Sequence, residues 1–225
     1  LNQNIIDLKE FSTQTENESI PNSTQHNIPA WTVFAIFFIA LSFSSNIVYE
    51  KNNACFTRLQ LMPINFLTSI SGKLITYIML CIFQALVLFL IGHFLFPLMG
   101  LPQLEIPANI GLLLFVIAII SLAATSYGLL IGSYAKTLQQ SNGVSAVSVM
   151  IFAAVGGIWV PSFVMPDSFN MISEFSPLKW GVSLFSGVFL RGEGIAFLKY
   201  DFLKLIGFIL ICFIFVFFKY RKDNK

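Results

Sequence analysis

A chain of 225 residues that is 56% hydrophobic and only 11% charged, with 25 phenylalanines and a mean hydropathy of +0.79, is far more apolar than a soluble domain, in which about a quarter of residues carry charge. Its formal net charge of +2 comes from few and dispersed basic residues, which excludes the concentrated basic face of a nucleic-acid binder. The scattered Cys55, Cys81 and Cys212 and the isolated His26 and His93 have no metal-ligand spacing and form no disulfide framework.

Residues 1 to 29 are rich in Asn, Ser, Thr, Gln and Glu and lack the charged start and apolar middle of a signal peptide. We read them as the end of a polar segment. Asn17-Glu18-Ser19 and Asn22-Ser23-Thr24 match the glycosylation sequon, a chance match in so Asn- and Ser-rich a tail. Beyond the tail, no charged side chain falls between Glu18 and Glu50, Lys73 and Glu105, Glu105 and Lys136, or Lys136 and Asp167. Each interval exceeds the roughly 20 residues that cross a hydrocarbon core of about 30 Å, so each predicts a transmembrane helix.

The first span runs over about 29–48, with Trp31 at one end as an interfacial anchor. Ser42, Ser45, Asn46 and Tyr49 recur at i, i+3, i+4 and i+7, which puts polar groups on one face of its other end and turns that face into the protein. A polar stretch follows from Tyr49-Glu50-Lys51 through Arg58 to Pro63, closing at Gly72-Lys73. The second span covers 74–96, and a connection from Pro97 to Pro107 leads to the third at 109–133. There Ala124, Gly128 and Gly132 repeat every four residues, a small-residue face that lets helices approach closely.

After a short polar turn at 134–140 the fourth span runs over about 141–160, with Ser141, Ser145 and Ser148 on one face; such hydroxyls serve interhelical hydrogen bonds or, less commonly, a substrate route. Gly156-Gly157 and Pro161 should break that helix near its end. The irregular region that follows holds Pro161, Pro166, Pro177, Trp180 and Arg191. Within it Gly181 to Leu190 is apolar but too short to span, so it reads as an interfacial or re-entrant helix that caps the bundle. A fifth span covers 196–218, where Lys204 snorkels to the interface three residues from Asp201.

Basic residues near the span ends set the orientation. Lys51, Arg58, Lys73, Lys136, Lys219, Arg221, Lys222 and Lys225 share one side; Lys9, Lys179, Arg191, Lys199 and Lys204 are spread over longer segments on the other. The positive-inside rule puts the polar stretch and the C-terminus in the cytoplasm and the N-terminal tail outside. An external tail with no targeting signal implies an upstream span or signal.

The sequence has no Gly-x-x-x-x-Gly-Lys-Ser/Thr, Gly-x-Ser-x-Gly or His-Glu-x-x-His pattern, and the four charge-free spans bury no carboxylate pair. A proton-driven carrier normally places ionisable groups at depth, where they are costly and functional. A membrane machine driven from outside the bilayer fits better.

Here the residues carry a resemblance. Val48-Tyr49-Glu50-Lys51, Leu59, Pro63, Gly72-Lys73-Leu74 and Tyr77 are followed in order by Gly128-Leu129-Leu130, Ala135-Lys136-Thr137, Gln139-Gln140, Gly157 to Pro161, Met165-Pro166, Ser176-Pro177-Leu178 and Arg191-Gly192. This collinear series resembles the membrane subunit of ABC-2 type exporters, the permease family of bacterial drug, lipid and polysaccharide efflux systems, over about residues 30 to 225. That family typically reads Glu-Lys-Glu-x-Gly-Thr; the second acid is Asn52 here, and the Gly-Thr pair falls on Ala54-Cys55.

The resemblance implies an all-α membrane protein whose subunit has six spans, of which this chain would hold the last five, with a cytoplasmic coupling helix and a short external helix. It implies a multi-pass permease of the bacterial plasma (inner) membrane that moves an amphipathic drug, lipid or glycan-like substrate outward. Two permease subunits, identical or not, would stand on two cytoplasmic ATP-binding cassette subunits, which carry ATP and Mg, with membrane lipids around them; this chain would bind no cofactor and catalyse nothing itself. Glu50, Lys51, Arg58 and Pro63 would couple to the ATPase; Ser42, Ser45, Asn46, Ser141, Ser145 and Ser148 would line a substrate route; Pro161, Pro166, Pro177, Trp180 and Arg191 would form the external cap. A non-transporting scaffold of permease-like shape and a secondary carrier are the alternative readings.

Overall fold

The computed structural model describes residues 23–53, 66–107, 109–159, 171–191 and 195–223. Among these there is no strand, and five helices are long and apolar enough to cross a membrane. In hydrocarbon every backbone N–H and C=O must find its partner within the protein, a condition that uninterrupted helices meet.

Helix α1 runs from Ser23 to Asn52, α2 from Phe66 to Leu90, α3 from Ile110 to Tyr134 and α4 from Leu138 to Val155; the short α5 covers Pro177–Ser186 and the long α6 Ile195–Asp223. A π-helical turn, Ile91–Leu95, carries α2 on to Leu98, and a second, Gly187–Arg191, extends α5. The helices α1 and α3 are the inner pair: half of the most apolar stretch of each is buried within the chain, against 22% for α2, α4 and α6. Val33, Ile36 and Phe37 of α1 meet Ile117, Ile120, Ala123 and Ala124 of α3 in one core. Three helices are thus left with broad apolar faces for lipid, Phe83, Val147 and Phe217 among them.

Close approach of the inner pair depends on the small residues of α3. A Cβ added at Gly128 would lie 3.0 Å from Ala40 Cα, and one added at Gly132 would lie 2.9 Å from both Ile47 Cβ and the Ser44 carbonyl oxygen. Ala124 is fully buried one turn away. The buried hydroxyls of α3 bond within their own helix, Ser121 to the Ile117 carbonyl (2.7 Å), Thr125 to that of Ser121 (2.8 Å) and Ser126 to that of Ala123 (2.9 Å), so their burial leaves no lone donor.

Three boundaries differ from the sequence reading. α1 begins upstream of Pro29, at Ser23: Thr24, Gln25 and Ile28 are buried, and Ile28 packs against the position of Gly92 beside Leu104. A single proline removes one helical hydrogen bond, and tertiary packing of the preceding turns outweighs it here. α2 begins at Phe66, so Gly72 and Lys73 lie inside a helix rather than at the end of a polar loop. α4 starts earlier than expected because Thr137 caps it, its Oγ1 accepting from Gln140 N at 3.1 Å.

The same helix ends at Val155, where Gly157 takes φ +82° and Ile158 N reaches back to the Ala153 carbonyl at 3.3 Å. This left-handed closure needs a residue without a Cβ. Pro161 and Pro166 lie outside the described residues. The connection after α2 is likewise fixed from within: Leu104 is fully buried, its N–H donates to the Gly92 carbonyl at 3.2 Å, and its own carbonyl accepts from His93 Nδ1 at 2.8 Å.

Candidate functional site

The residues expected to couple fall at one end of the bundle, where the last turn of α1 is bonded to three other parts of the chain. A helix C-terminus leaves its last carbonyls without intrahelical donors and carries partial negative charge. Lys51 meets both needs for α3, its Nζ donating to the Gly132 carbonyl at 2.9 Å and to that of Ser133 at 2.8 Å. Glu50 forms an ion pair with Lys73 of α2, about a quarter of each side chain being exposed. Asn52 Nδ2 donates to the Lys136 carbonyl at 3.2 Å, in the turn between α3 and α4. That turn is itself stiffened, since Gln140 Oε1 accepts from Lys136 N at 3.0 Å while Thr137 caps α4. The Glu50-Lys51-Asn52 tripeptide therefore joins α1 to α2, α3 and the turn before α4. Arg58 and Pro63 lie outside the described residues.

In sequence Asn52 is a departure from the pattern of the resemblance, and nothing there marks Lys73 as the partner of Glu50. Asn52 replaces an acid with an amide that can donate to a carbonyl. The separation of 23 positions between Glu50 and Lys73 hides a contact that only the antiparallel return of α2 creates.

Further into the bundle, α1 and α4 meet through hydroxyls and an amide. Ser44 Oγ and Ser145 Oγ are 2.9 Å apart and fully shielded, and Ser45 Oγ donates to Asn142 Oδ1. Ser45 and Ser145 thus lie in a helix contact. Ser141 is buried, and its hydroxyl has no hydrogen-bond partner among the described residues. Ser148 turns back to its own helix, to the Val144 carbonyl at 2.6 Å. Ser42 and Asn46 instead stand on the exposed face of α1, in line with Tyr49, and Asn46 Nδ2 donates to the Tyr77 hydroxyl at 3.2 Å. Ser45 and Ser145 therefore stand in the contact and Ser42 and Asn46 on the open face, and Ser44, which carries no distinguishing signal in the sequence, belongs to the contact.

At the opposite end α5 begins at Pro177, with its fixed φ in the first turn, and packs on α6 and α1; a Cβ at Gly181 would lie 3.0 Å from Val33 Cγ1. Trp180 Nε1 donates to the Glu174 carbonyl at 2.9 Å, and Arg191 ends the π-helical extension. The Glu174 carboxylate lies between two cations, Lys179 Nζ at 2.8 Å and Lys204 Nζ of α6 at 2.8 Å. Lys204 is also 3.7 Å from Asp201, which accepts from Ser183. Hydrogen bonds from Lys179 and then Lys204 hold the Glu174 carboxyl down at about 2, well below its ordinary 4.5. The spacing of three pairs Asp201 with Lys204 in sequence, whereas Glu174 sits in a different element from both and carries no such signal.

An all-helical chain with five membrane-length helices, tied at both ends by ionic contacts, is a multi-pass membrane protein. Its residues 10–190, well over half of the chain, match the family model described as ABC-2 type transporter, and the chain belongs to that family. It is 24% identical over 171 residues to the Bacillus subtilis (strain 168) protein named "Putative transport permease YvfS", in a match that covers 74% of this chain and 67% of that protein. The chain is accordingly a transport permease.

Proposed function

We propose that this chain is the membrane subunit of an ATP-driven exporter, that the end of the bundle holding Glu50 is cytoplasmic, and that the N-terminal tail lies outside the plasma membrane. A separate ATP-binding cassette subunit, carrying ATP and Mg, supplies the energy, and a second permease subunit, identical or not, completes the route. Family membership supports the class of machine, and the excess of basic residues at the Glu50 end supports the orientation.

The observation that carries the reading is the bonding of Glu50, Lys51 and Asn52 to α2, α3 and the turn before α4. Displacement of the chain that follows Asn53 would pull on all of them at once, because ion pairs and charge-assisted hydrogen bonds to a helix terminus resist separation. The inner pair α1 and α3 would then move as one body. The substrate, an amphipathic drug-, lipid- or glycan-like molecule, passes along the open face of α1 at Ser42 and Asn46; Ser45, Ser141 and Ser145 stand behind that face where α1 meets α4, and Ser148 follows Ser145 on α4. The segment from Pro161 through Pro166, Pro177 and Trp180 to Arg191 closes the outer end.

Co-purification of an ATP-binding subunit whose hydrolysis depends on this chain is the first test. Glu50→Lys should then leave the complex assembled and hydrolysing ATP but reduce transport per ATP about tenfold, the cost of turning one attraction into a repulsion. Adding Lys73→Glu should restore transport, since the pair is re-formed with exchanged signs. A chain that binds no ATPase, or a Glu50→Lys variant with unchanged coupling, would overturn the proposal; the former would leave a scaffold or a secondary carrier.

A further inference from the structure

A groove of about 470 Å³ opens between α1 and α2 at the Glu50 end, lined by Asn46 and Glu50 on one wall and by Thr68, Ser69, Gly72, Lys73, Thr76 and Tyr77 on the other. It lies where the charge-free part of α2 begins, because no charged residue follows Lys73 until Glu105. From this groove one face of α2 continues inward. Ser69, Gly72, Thr76, Leu80, Phe83 and Val87 succeed one another at spacings of three and four residues. Their chemistry changes sharply on the way: hydroxyls as far as Thr76, then Leu80, Phe83 and Val87, which are 49%, 67% and 37% exposed.

From Thr76 to Val87 the helix rises about 16 Å, close to half of a hydrocarbon core of about 30 Å, which is the depth of one leaflet. A polar recess at the interface, followed by an apolar track one leaflet deep, has the outline of a lipid molecule. The recess also carries both signs of charge. Lys73 engages Glu50 Oε2 through one of the three hydrogens on its ammonium, and the pair remains partly exposed on the two walls. A phosphate ester complements Lys73 and the hydroxyls of Thr68 and Ser69, and an ammonium group complements the Glu50 carboxylate. A purely anionic headgroup would meet that carboxylate as a repulsion.

We propose that this groove is a binding site for a zwitterionic phospholipid, its phosphate toward Lys73, its ammonium toward Glu50 and an acyl chain along Leu80, Phe83 and Val87. The inference rests on α1 and α2 spanning a bilayer and not on coupling to an ATPase, so lipid binding measured without nucleotide tests it alone.

Gly72 supplies the variant. A Cβ added there meets no described atom within 4 Å, so Gly72→Leu fills the recess without crowding the fold, and leucine favours the helix. Gly143 on α4 is open in the same way and provides the control, Gly143→Leu. The full chain in detergent is titrated with palmitoyl-oleoyl phosphatidylethanolamine, phosphatidylcholine and phosphatidylglycerol, and bound lipid is read by native mass spectrometry. The two zwitterionic lipids should be retained about fivefold more than phosphatidylglycerol, the factor that one added charge contact gives, with the preference lost in Gly72→Leu and kept in Gly143→Leu. Equal retention of all three lipids, preference for phosphatidylglycerol, or an unaltered Gly72→Leu would overturn the proposal. If Gly72→Leu does not fold, Thr76→Leu at the exposed rim is judged by the same outcomes.

Discussion

Lys51 shows how one side chain can be read correctly by type and incompletely by role. A lysine beside a glutamate at the end of a span is legible as a charged boundary and, through the collinear motifs, as part of a coupling segment. Its contacts with the Gly132 and Ser133 carbonyls come from a helix 81 residues further along the chain. Lys51→Met should lower the stability of the detergent-solubilised protein by about 0.3–1 kcal/mol, the typical range for a cation at a helix C-terminus, while Lys51→Arg should retain most of it. Thermal unfolding at low ionic strength measures the difference, and added salt should shrink it.

Between elements, the decisive event is the meeting of α1 and α3. The repeat of Ala124, Gly128 and Gly132 announces a close contact but not its partner. The partner surface, Ala40, Ser44 and Ile47 of α1, is recognisable only once the two helices are placed together. Gly132→Val should destabilise by about 1–3 kcal/mol, the usual cost of forcing bulk into a packed contact, because its Cβ meets backbone that cannot yield. Gly143→Ala, with open space at the added Cβ, should be neutral or stabilising by up to about 1 kcal/mol. Equal melting temperatures for Gly132→Val and the parent chain would refute this placement of the two helices. The start of α1 shows the opposite failure: Pro29 looks like a boundary in sequence, and burial of Thr24, Gln25 and Ile28 carries the helix past it.

Across the whole molecule, the two ends of the bundle are fastened by different electrostatics. The Glu50 end combines the Glu50–Lys73 ion pair with helix-terminus contacts, whereas at the other end Glu174 is held by Lys179 and Lys204, with Asp201 close to Lys204. The Glu174 carboxyl has its folded value depressed to about 2 from 4.5, so its contribution to stability is complete above about 4.5 and is lost as pH falls from there towards 2. Melting temperature should therefore fall more steeply below pH 4.5 in the parent chain than in Glu174→Gln, and the two should converge near pH 2. The side chain is half exposed, so high salt should reduce the difference at neutral pH.

The sequence alone determined the fold class, the number of membrane-length helices and the family. Long charge-free intervals have one economical structure in hydrocarbon, and motif order survives substitution at single positions. The position of α3 and the Gly156-Gly157 pair that ends α4 were partly legible because local backbone chemistry governs them. Tertiary structure decided which polar residues meet. Ser44 with Ser145, Glu50 with Lys73, Asn52 with Lys136 and Glu174 with Lys204 are pairs from separate elements, and helical periodicity assigns a residue to a face without saying what that face touches. The division of the serines between a packed contact and an open surface follows from the same limit: a hydroxyl has the same chemistry in both settings, and only the neighbouring helix distinguishes them.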